Sequence, residues 1–178
     1  MNYFELFEVP VQLKIDAKAL TQKYFNLSRK YHPDYFALSS ETDQEEAVQK
    51  SAMLNKAWQT FCQPDETIKY VLKLKGLLEE EEKYALPPPF LMEVMDLNEQ
   101  LMELEMEQDG ALLSQAKAKT EELKKQIYSD VAPIMEHYQE GITTEKELLQ
   151  VKAYYYQKKY LDRIEEKILA LQNLAIGG

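Results

Sequence analysis

The stretch KYFNLSRKYHPDYF, residues 23–36, reads as the end of an amphipathic helix followed by a stiff turn. Proline holds its own φ at about −65° and disfavours helix at the residue before it, so the helix must end around His32. Leu20, Tyr24, Leu27 and Tyr31 recur at i, i+4, i+7 and i+11, which makes one face of this helix core. Lys23, Arg29 and Lys30 fall off that stripe and are expected in water. His32, Pro33 and Asp34 therefore present an imidazole and a carboxylate at the tip of a rigid turn beside a cationic helix face.

Working outward, residues 3–8 can form a short first helix that Pro10 ends, and Asp16 is a candidate N-cap for the helix leading to Tyr31. The run from Val9 to Ile15 carries Pro10 and reads as loop. Beyond the turn, Ser40 or Thr42 can cap a helix with the stripe Ala47, Ser51, Leu54, Trp58 and Phe61. Pro64 should stop it, Asp65 should cap a fourth helix with Ile68, Val71 and Leu72 inward, and Gly76 is placed as its C-terminal stop. Helices two and three should pack as an antiparallel hairpin, with Trp58 and Tyr24 among the largest contributors to its core. Cys62, the single cysteine, rules out an internal disulfide and is expected buried beside Phe61.

Four consecutive glutamates and Pro87-Pro88-Pro89 mark residues 77–89 as an acidic, proline-rich linker. Three helical patterns follow. The first spans about Pro89 to Gln108. The second runs from about Ala111 to Tyr138 with Leu113, Ala116, Leu123, Ile127 and Ile134 inward, and Pro133 should kink or interrupt it. The third starts at the capping box Thr144-x-x-Glu147, reaches about Leu174 and turns Leu148, Tyr155, Leu161, Ile164, Ile168 and Leu171 inward. Residues 175–178 are expected to fray. Short connections make neighbours antiparallel, giving an up-down-up three-helix bundle. The fold class is thus all-α: a helical hairpin with short flanking helices over residues 1–76, the linker, and a bundle over 90–178.

The helix from Phe90 carries more apolar residues than one core face can use. At about 100° per residue, Phe90, Val94, Leu97, Leu101 and Leu104 cluster on one side. Leu91, Met92, Met95, Met102 and Met106 form a second band behind them, with Asp96, Glu99 and Glu103 beside or within it. A second apolar band rimmed by acids reads as a binding surface, and methionine suits it because its thioether repacks against a partner. The same band could instead pack on the first domain or on a second copy of the chain.

Net charge is −10, which argues against nucleic acid as a partner. The charge is uneven: residues 14–31 carry five bases and one acid, whereas 79–109 carry eleven acids and one lysine. That asymmetry suits two faces for two partners. The sequence opens directly on a helical pattern without the charged and apolar segments of a signal peptide, and no apolar run approaches a membrane span. A cytoplasmic protein without a membrane partner is expected.

KYFNLSRKYHPDYF resembles helix II and the loop of a J-domain, the module that stimulates ATP hydrolysis by DnaK-type chaperones. NYFELFEVP (2–10), LNKAWQTFCQP (54–64) and PFLMEVMDLNEQL (89–101), in that order, make the chain similar to the HscB-type J-domain co-chaperones of iron–sulfur cluster assembly. The resemblance implies that Asp34 engages an arginine of the chaperone, that His32 and Pro33 shape the loop, and that Lys23, Arg29 and Lys30 steer the helix. Many J-domains carry bases six and seven positions before the histidine; Phe25 and Asn26 stand there, which favours a specialised HscA-like partner. The resemblance also implies that Leu91, Met92, Met95, Asp96, Glu99 and Glu103, joined by Tyr160, bind an IscU-like iron–sulfur cluster scaffold protein. The expected function is then a two-ended adaptor, not an enzyme, with no cofactor of its own. Two other classes compete: a general J-domain co-chaperone whose bundle binds other clients or dimerises, and an enzyme using His32 and Asp34 as an acid–base pair or adding His137 as a metal ligand. An exposed turn without pocket or nucleophile, two histidines and one cysteine speak against the last.

Overall fold

The computed structural model describes residues 1–177, with side chains through 175. It is all-α, and no strand occurs among the described residues. The helices are α1 (Tyr3–Leu6), α2 (Ala17–Lys30), a 3₁₀ turn at Pro33–Phe36, α3 (Glu41–Phe61), α4 (Pro64–Leu74), α5 (Pro88–Met106), α6 (Gly110–Glu136) and α7 (Glu145–Gly177). The chain divides into two compact units, one of residues 1–76 with 135–143 and one of residues 77–134 with 144–178.

In the first unit, side-chain caps set the helix starts. Asn2 and Glu5 form a reciprocal capping box on α1, Asp16 accepts from the amides of Lys18 and Ala19 on α2, and Ser40 accepts from Asp43 on α3. α4 departs from expectation: Gln63 is its N-cap, without a side-chain bond, and Pro64 is its first residue. Proline's missing N–H costs nothing at that position, so Pro64 both ends α3 and begins α4, and Asp65 lies in the first turn. Gly76, at φ 69°, closes α4 in a conformation that favours glycine.

The core of this unit centres on Phe4, Phe7, Leu13, Leu54, Phe61, Val71 and Leu72, all almost wholly buried. Phe4 and Phe7 meet the Phe61 ring at 5.1 and 5.2 Å between centroids. Each such side chain contributes about 1.5–3 kcal/mol, so the four-residue α1 and its C-cap Phe7 carry a share that their length conceals. Trp58 and Tyr24 are only half-buried; they stack at 4.7 Å and the Tyr24 hydroxyl donates to Asn55, tying α2 to α3 at the edge of the core. Cys62 is exposed, contrary to expectation. As the C-cap of α3 it sits one residue past Phe61, a rotation of about 100° that carries it off the buried stripe. The connection 135–143 also belongs to this unit, where Lys75 is bonded to Glu140 and Lys14 lies 3.7 Å from Glu136. The Lys75 ammonium and the Tyr138 hydroxyl, both donating to Glu140, hold its carboxyl below the usual range.

In the second unit α5, α6 and α7 bury Phe90, Val94, Leu97, Leu101 and Leu104 against Ala116, Leu123 and Ile127 and against Leu148, Val151, Tyr155, Leu161, Ile164 and Ile168. The capping box at Thr144 and Glu147 is formed in both directions. Pro133 does not interrupt α6, which runs on to Glu136; a proline this near the end removes only one of the last hydrogen bonds. Near that end Val131 is buried and Ile134 half-buried, and Met135, buried too, already belongs to the first unit. α7 extends through Gly177, past the expected end near Leu174, while Gly178 lies outside the described residues.

Residues 77–87 are laid along α7. Leu78 is buried, Glu82 takes the Lys152 ammonium at 2.6 Å and the Tyr156 hydroxyl at 3.2 Å, and Tyr84 stacks on Tyr156 at 4.4 Å. Burial and the Glu82 carboxylate push the Tyr156 hydroxyl up to about 12, so it remains a donor across the physiological range.

Candidate functional site

The first candidate site grows from the end of α2. Tyr31 N–H donates to Leu27 and His32 N–H to Arg29, closing the helix. His32 leaves it at φ −64°, ψ 126° and becomes the N-cap of the 3₁₀ turn, with Pro33 as the first residue inside. Its Nδ1 accepts the amide of Asp34 at 3.2 Å, and its carbonyl accepts the amide of Tyr35 at 3.1 Å. With Nδ1 accepting, the neutral ring carries its proton on Nε2. The histidine is thus the local capping group. The Asp34 carboxylate, 3.6 Å from Nδ1 and 89% exposed, remains open to an outside donor. Ser28, Arg29, His32, Asp34 and Tyr35 line a shallow depression around it. A carboxylate held on a proline-stiffened turn can accept a bidentate guanidinium with little ordering cost.

The helix charges differ from one another. Arg29 and Lys30 are exposed, and Lys30 lies over the Tyr31 ring at 5.4 Å. Lys23, expected free in water, is bonded to Glu8 at 2.6 Å. Glu8 stands just past α1 at φ 54°, and that turn swings its carboxylate toward α2. The bond from Lys23 holds the Glu8 carboxyl below its ordinary value. The pairing is tertiary and nothing in the local pattern of α2 announces it.

The second candidate site is the outer face of α5. The five residues of its core stripe are buried, whereas Leu91, Met92 and Met95 are 44%, 72% and 56% exposed, followed by exposed Met102 and Met106. Asp96, Glu99 and Glu103 are exposed alongside. Tyr160 of α7 joins this helix: its ring meets Phe90 edge-on at 5.8 Å and its hydroxyl accepts from the Asn98 amide at 2.8 Å. Asn98, which the sequence reading did not single out, therefore fixes where the Tyr160 ring points. An asparagine in an apolar helix is the signal that could have drawn attention to it.

Three residues are then brought together at the turn (His32, Pro33, Asp34) with Arg29 adjoining, and seven at the α5 face. No cluster of three histidine, cysteine or acidic side chains able to hold a metal occurs among the described residues, and no described helix is long and apolar enough to cross a membrane.

Comparison with known proteins fits the two halves to two family models: residues 2–70 match the DnaJ domain, and residues 86–169 match the HSCB C-terminal oligomerisation domain. The chain belongs to the HscB-type J-domain co-chaperones of iron–sulfur cluster assembly. Among solved structures it is similar to the chaperone HscB from Vibrio cholerae, at 28% identity and a TM-score of 0.69 over 98% of this chain and 99% of that one. It is also similar to the human co-chaperone protein HscB, at 26% identity and a TM-score of 0.72 over 97% of this chain and 82% of that one. In this HscB-type chain the turn lies within the DnaJ match and the α5 face and Tyr160 within the other.

Proposed function

We propose that this protein stimulates the ATPase of a specialised, HscA-like DnaK-type chaperone through His32-Pro33-Asp34 and delivers to it an IscU-like iron–sulfur scaffold protein held on the α5 face. The observation that carries the reading is the split of α5, where the core stripe is sealed and the methionine band beside it stays open although the fold has no use for it. The open Asp34 carboxylate supports the other half. A co-chaperone accelerates its partner only by favouring the conformation that hydrolyses. Asp34 would supply that preference through a charge-assisted contact, His32 and Pro33 would hold the loop, and Arg29 and Lys30 would steer encounter with an acidic surface. Lys23 would act less directly, since Glu8 already occupies it. Leu91, Met92, Met95 and Tyr160 would supply apolar contact to the scaffold, and Asp96, Glu99 and Glu103 its polar rim.

The test is steady-state ATPase of the cognate chaperone with scaffold present. Asp34→Asn should strongly weaken stimulation while scaffold binding persists. Met92→Ala with Met95→Ala should strongly weaken scaffold binding while basal stimulation persists. Equal stimulation by Asp34→Asn, or unchanged scaffold affinity in the methionine variant, would refute the corresponding half. A second reading, self-association through the same α5 face, draws on the description of the matched C-terminal domain. Sedimentation at rising concentration distinguishes it, since a monomer throughout leaves the face free for the scaffold.

A further inference from the structure

Beside the α5 face, the second unit holds a cleft of opposite character. Lys83, Tyr84, Tyr156, Lys159, Tyr160 and Arg163 line it. Tyr156, Lys159, Tyr160 and Arg163 fall at i, i+3, i+4 and i+7 of α7 and so share one side of that helix. The segment before α5 closes the other wall, anchored by the Tyr84–Tyr156 stack at an interplanar angle of 6°. The one acid in the cleft, Glu82, is consumed by Lys152 at 2.6 Å. Among the described residues no carboxylate pairs with Lys83, Lys159 or Arg163, and Lys159 instead lies 5.4 Å over the Tyr155 ring. On a chain of net charge −10, the cleft gathers three cations without a carboxylate partner around three tyrosines.

We propose that this cleft receives an acidic segment of the same scaffold protein, one carrying aspartate or glutamate side chains between apolar ones. The inference rests on the scaffold-binding reading of α5 and names what else that partner must present. Tyr160 belongs to both surfaces: it lines the cleft and is held to α5 by Phe90 and Asn98. A polypeptide seated on Leu91 and Met95 therefore meets the cleft where it passes Tyr160. The guanidinium of Arg163 matches a carboxylate bidentately, and the tyrosine faces accept the apolar parts of a chain. An acid-rimmed methionine ridge next to a cationic cleft also fixes the direction in which a partner docks, because a reversed partner sets like charges together.

The decisive measurement is affinity for a purified IscU-like scaffold protein at low and high salt, using wild type, Lys159→Glu with Arg163→Glu, and Met92→Ala with Met95→Ala. All positions changed are on exposed surface, and circular dichroism checks that each variant folds. The charge reversal should weaken binding at low salt about tenfold or more and flatten its salt dependence, with basal ATPase stimulation unchanged. An affinity and salt slope equal to wild type, while the methionine variant loses binding, would overturn the cleft proposal and leave the α5 reading standing. Unchanged binding by the methionine variant would instead overturn the reading on which the cleft rests. A reversal that alters self-association in sedimentation but not scaffold affinity would assign the cleft to a second copy and also overturn the proposal.

Discussion

The His32-Pro33-Asp34 turn and the outer face of α5, the two proposed contact surfaces, are built in opposite ways. The turn is local and stiff: a proline, an imidazole accepting an amide and a 3₁₀ carbonyl bond hold one carboxylate in place. The α5 face is extended and soft, built from flexible methionines over a helix whose other side is packed. A single preorganised charge gives directional discrimination, which suits a partner that must be caught in one conformation. A methionine surface gives area and adaptability, which suits a partner against whose contours it must repack. One region depends on backbone geometry and the other on what lies beneath it.

That dependence sets the largest expected effect. Leu97 is fully buried under the α5 face. Leu97→Ala should cost about 2–5 kcal/mol in chemical unfolding, because truncation leaves a cavity in a packed stripe. The Met92→Ala, Met95→Ala double variant, on the same helix, should stay within about 0.5 kcal/mol of wild type in stability. The contrast breaks if the surface variant unfolds as readily as the core one, since the methionines would then be structural. In binding the ranking reverses: two methionines buried by a partner at about 1.5 kcal/mol each give roughly a hundredfold loss of scaffold affinity by isothermal titration.

Asp34→Asn should come next. It preserves shape and removes one charge, so the loss is that of a hydrogen bond to a charged group, about 1.5–3 kcal/mol, or roughly ten- to a hundredfold in the chaperone concentration needed for stimulation. Circular dichroism and unfolding midpoint should not move, because the carboxylate is exposed and the turn's own bonds come from His32. A shifted midpoint would mean that Asp34 builds the turn as well as presenting it.

Both regions were legible in the sequence to the degree that their structure is local. The rotation of about 100° per residue separated the five buried and five exposed apolar residues of α5 without a mistake, because a long regular helix preserves phase. The capping residues Asp16, Ser40 and Thr144 could be read for the same reason. What failed to show was tertiary. Phe4 and Phe7 dominate a core from a helix too short to display a period, Lys23 is neutralised from fifteen residues away, and the glutamate-rich segment before α5 packs on α7 through Glu82 and Tyr84 instead of standing off as a spacer. Charge repulsion among four glutamates described their mutual effect and left out Lys152, whose position no local rule supplies.

The smallest expected effect separates the two regions by pH. Lys124 of α6 bonds Asp162 and Glu165 of α7, each at 2.7 Å, and Lys158 reaches Asp162 at 3.1 Å. Partial burial pushes the Asp162 carboxyl up, but the bonds from Lys124 and Lys158 outweigh it and hold the group below its usual 3.8. A carboxyl lowered on folding contributes stability that is complete above its unfolded value and disappears as pH falls through the folded one. The groups are still about a third exposed, so screening limits the contribution to roughly 1 kcal/mol or less. Asp162→Asn should therefore be slightly less stable than wild type in urea at pH 7, with the gap closing only as pH falls below the usual 3.8 through the lowered native value. The network joins α6 to α7 in the bundle that backs the α5 face. At neutral pH and low salt, Asp162→Asn should weaken scaffold binding by a factor of two or three at most and leave chaperone stimulation untouched. Equal losses in both would show that the two regions share support, and the contrast between a self-sufficient turn and a face carried by its foundation would have to be abandoned.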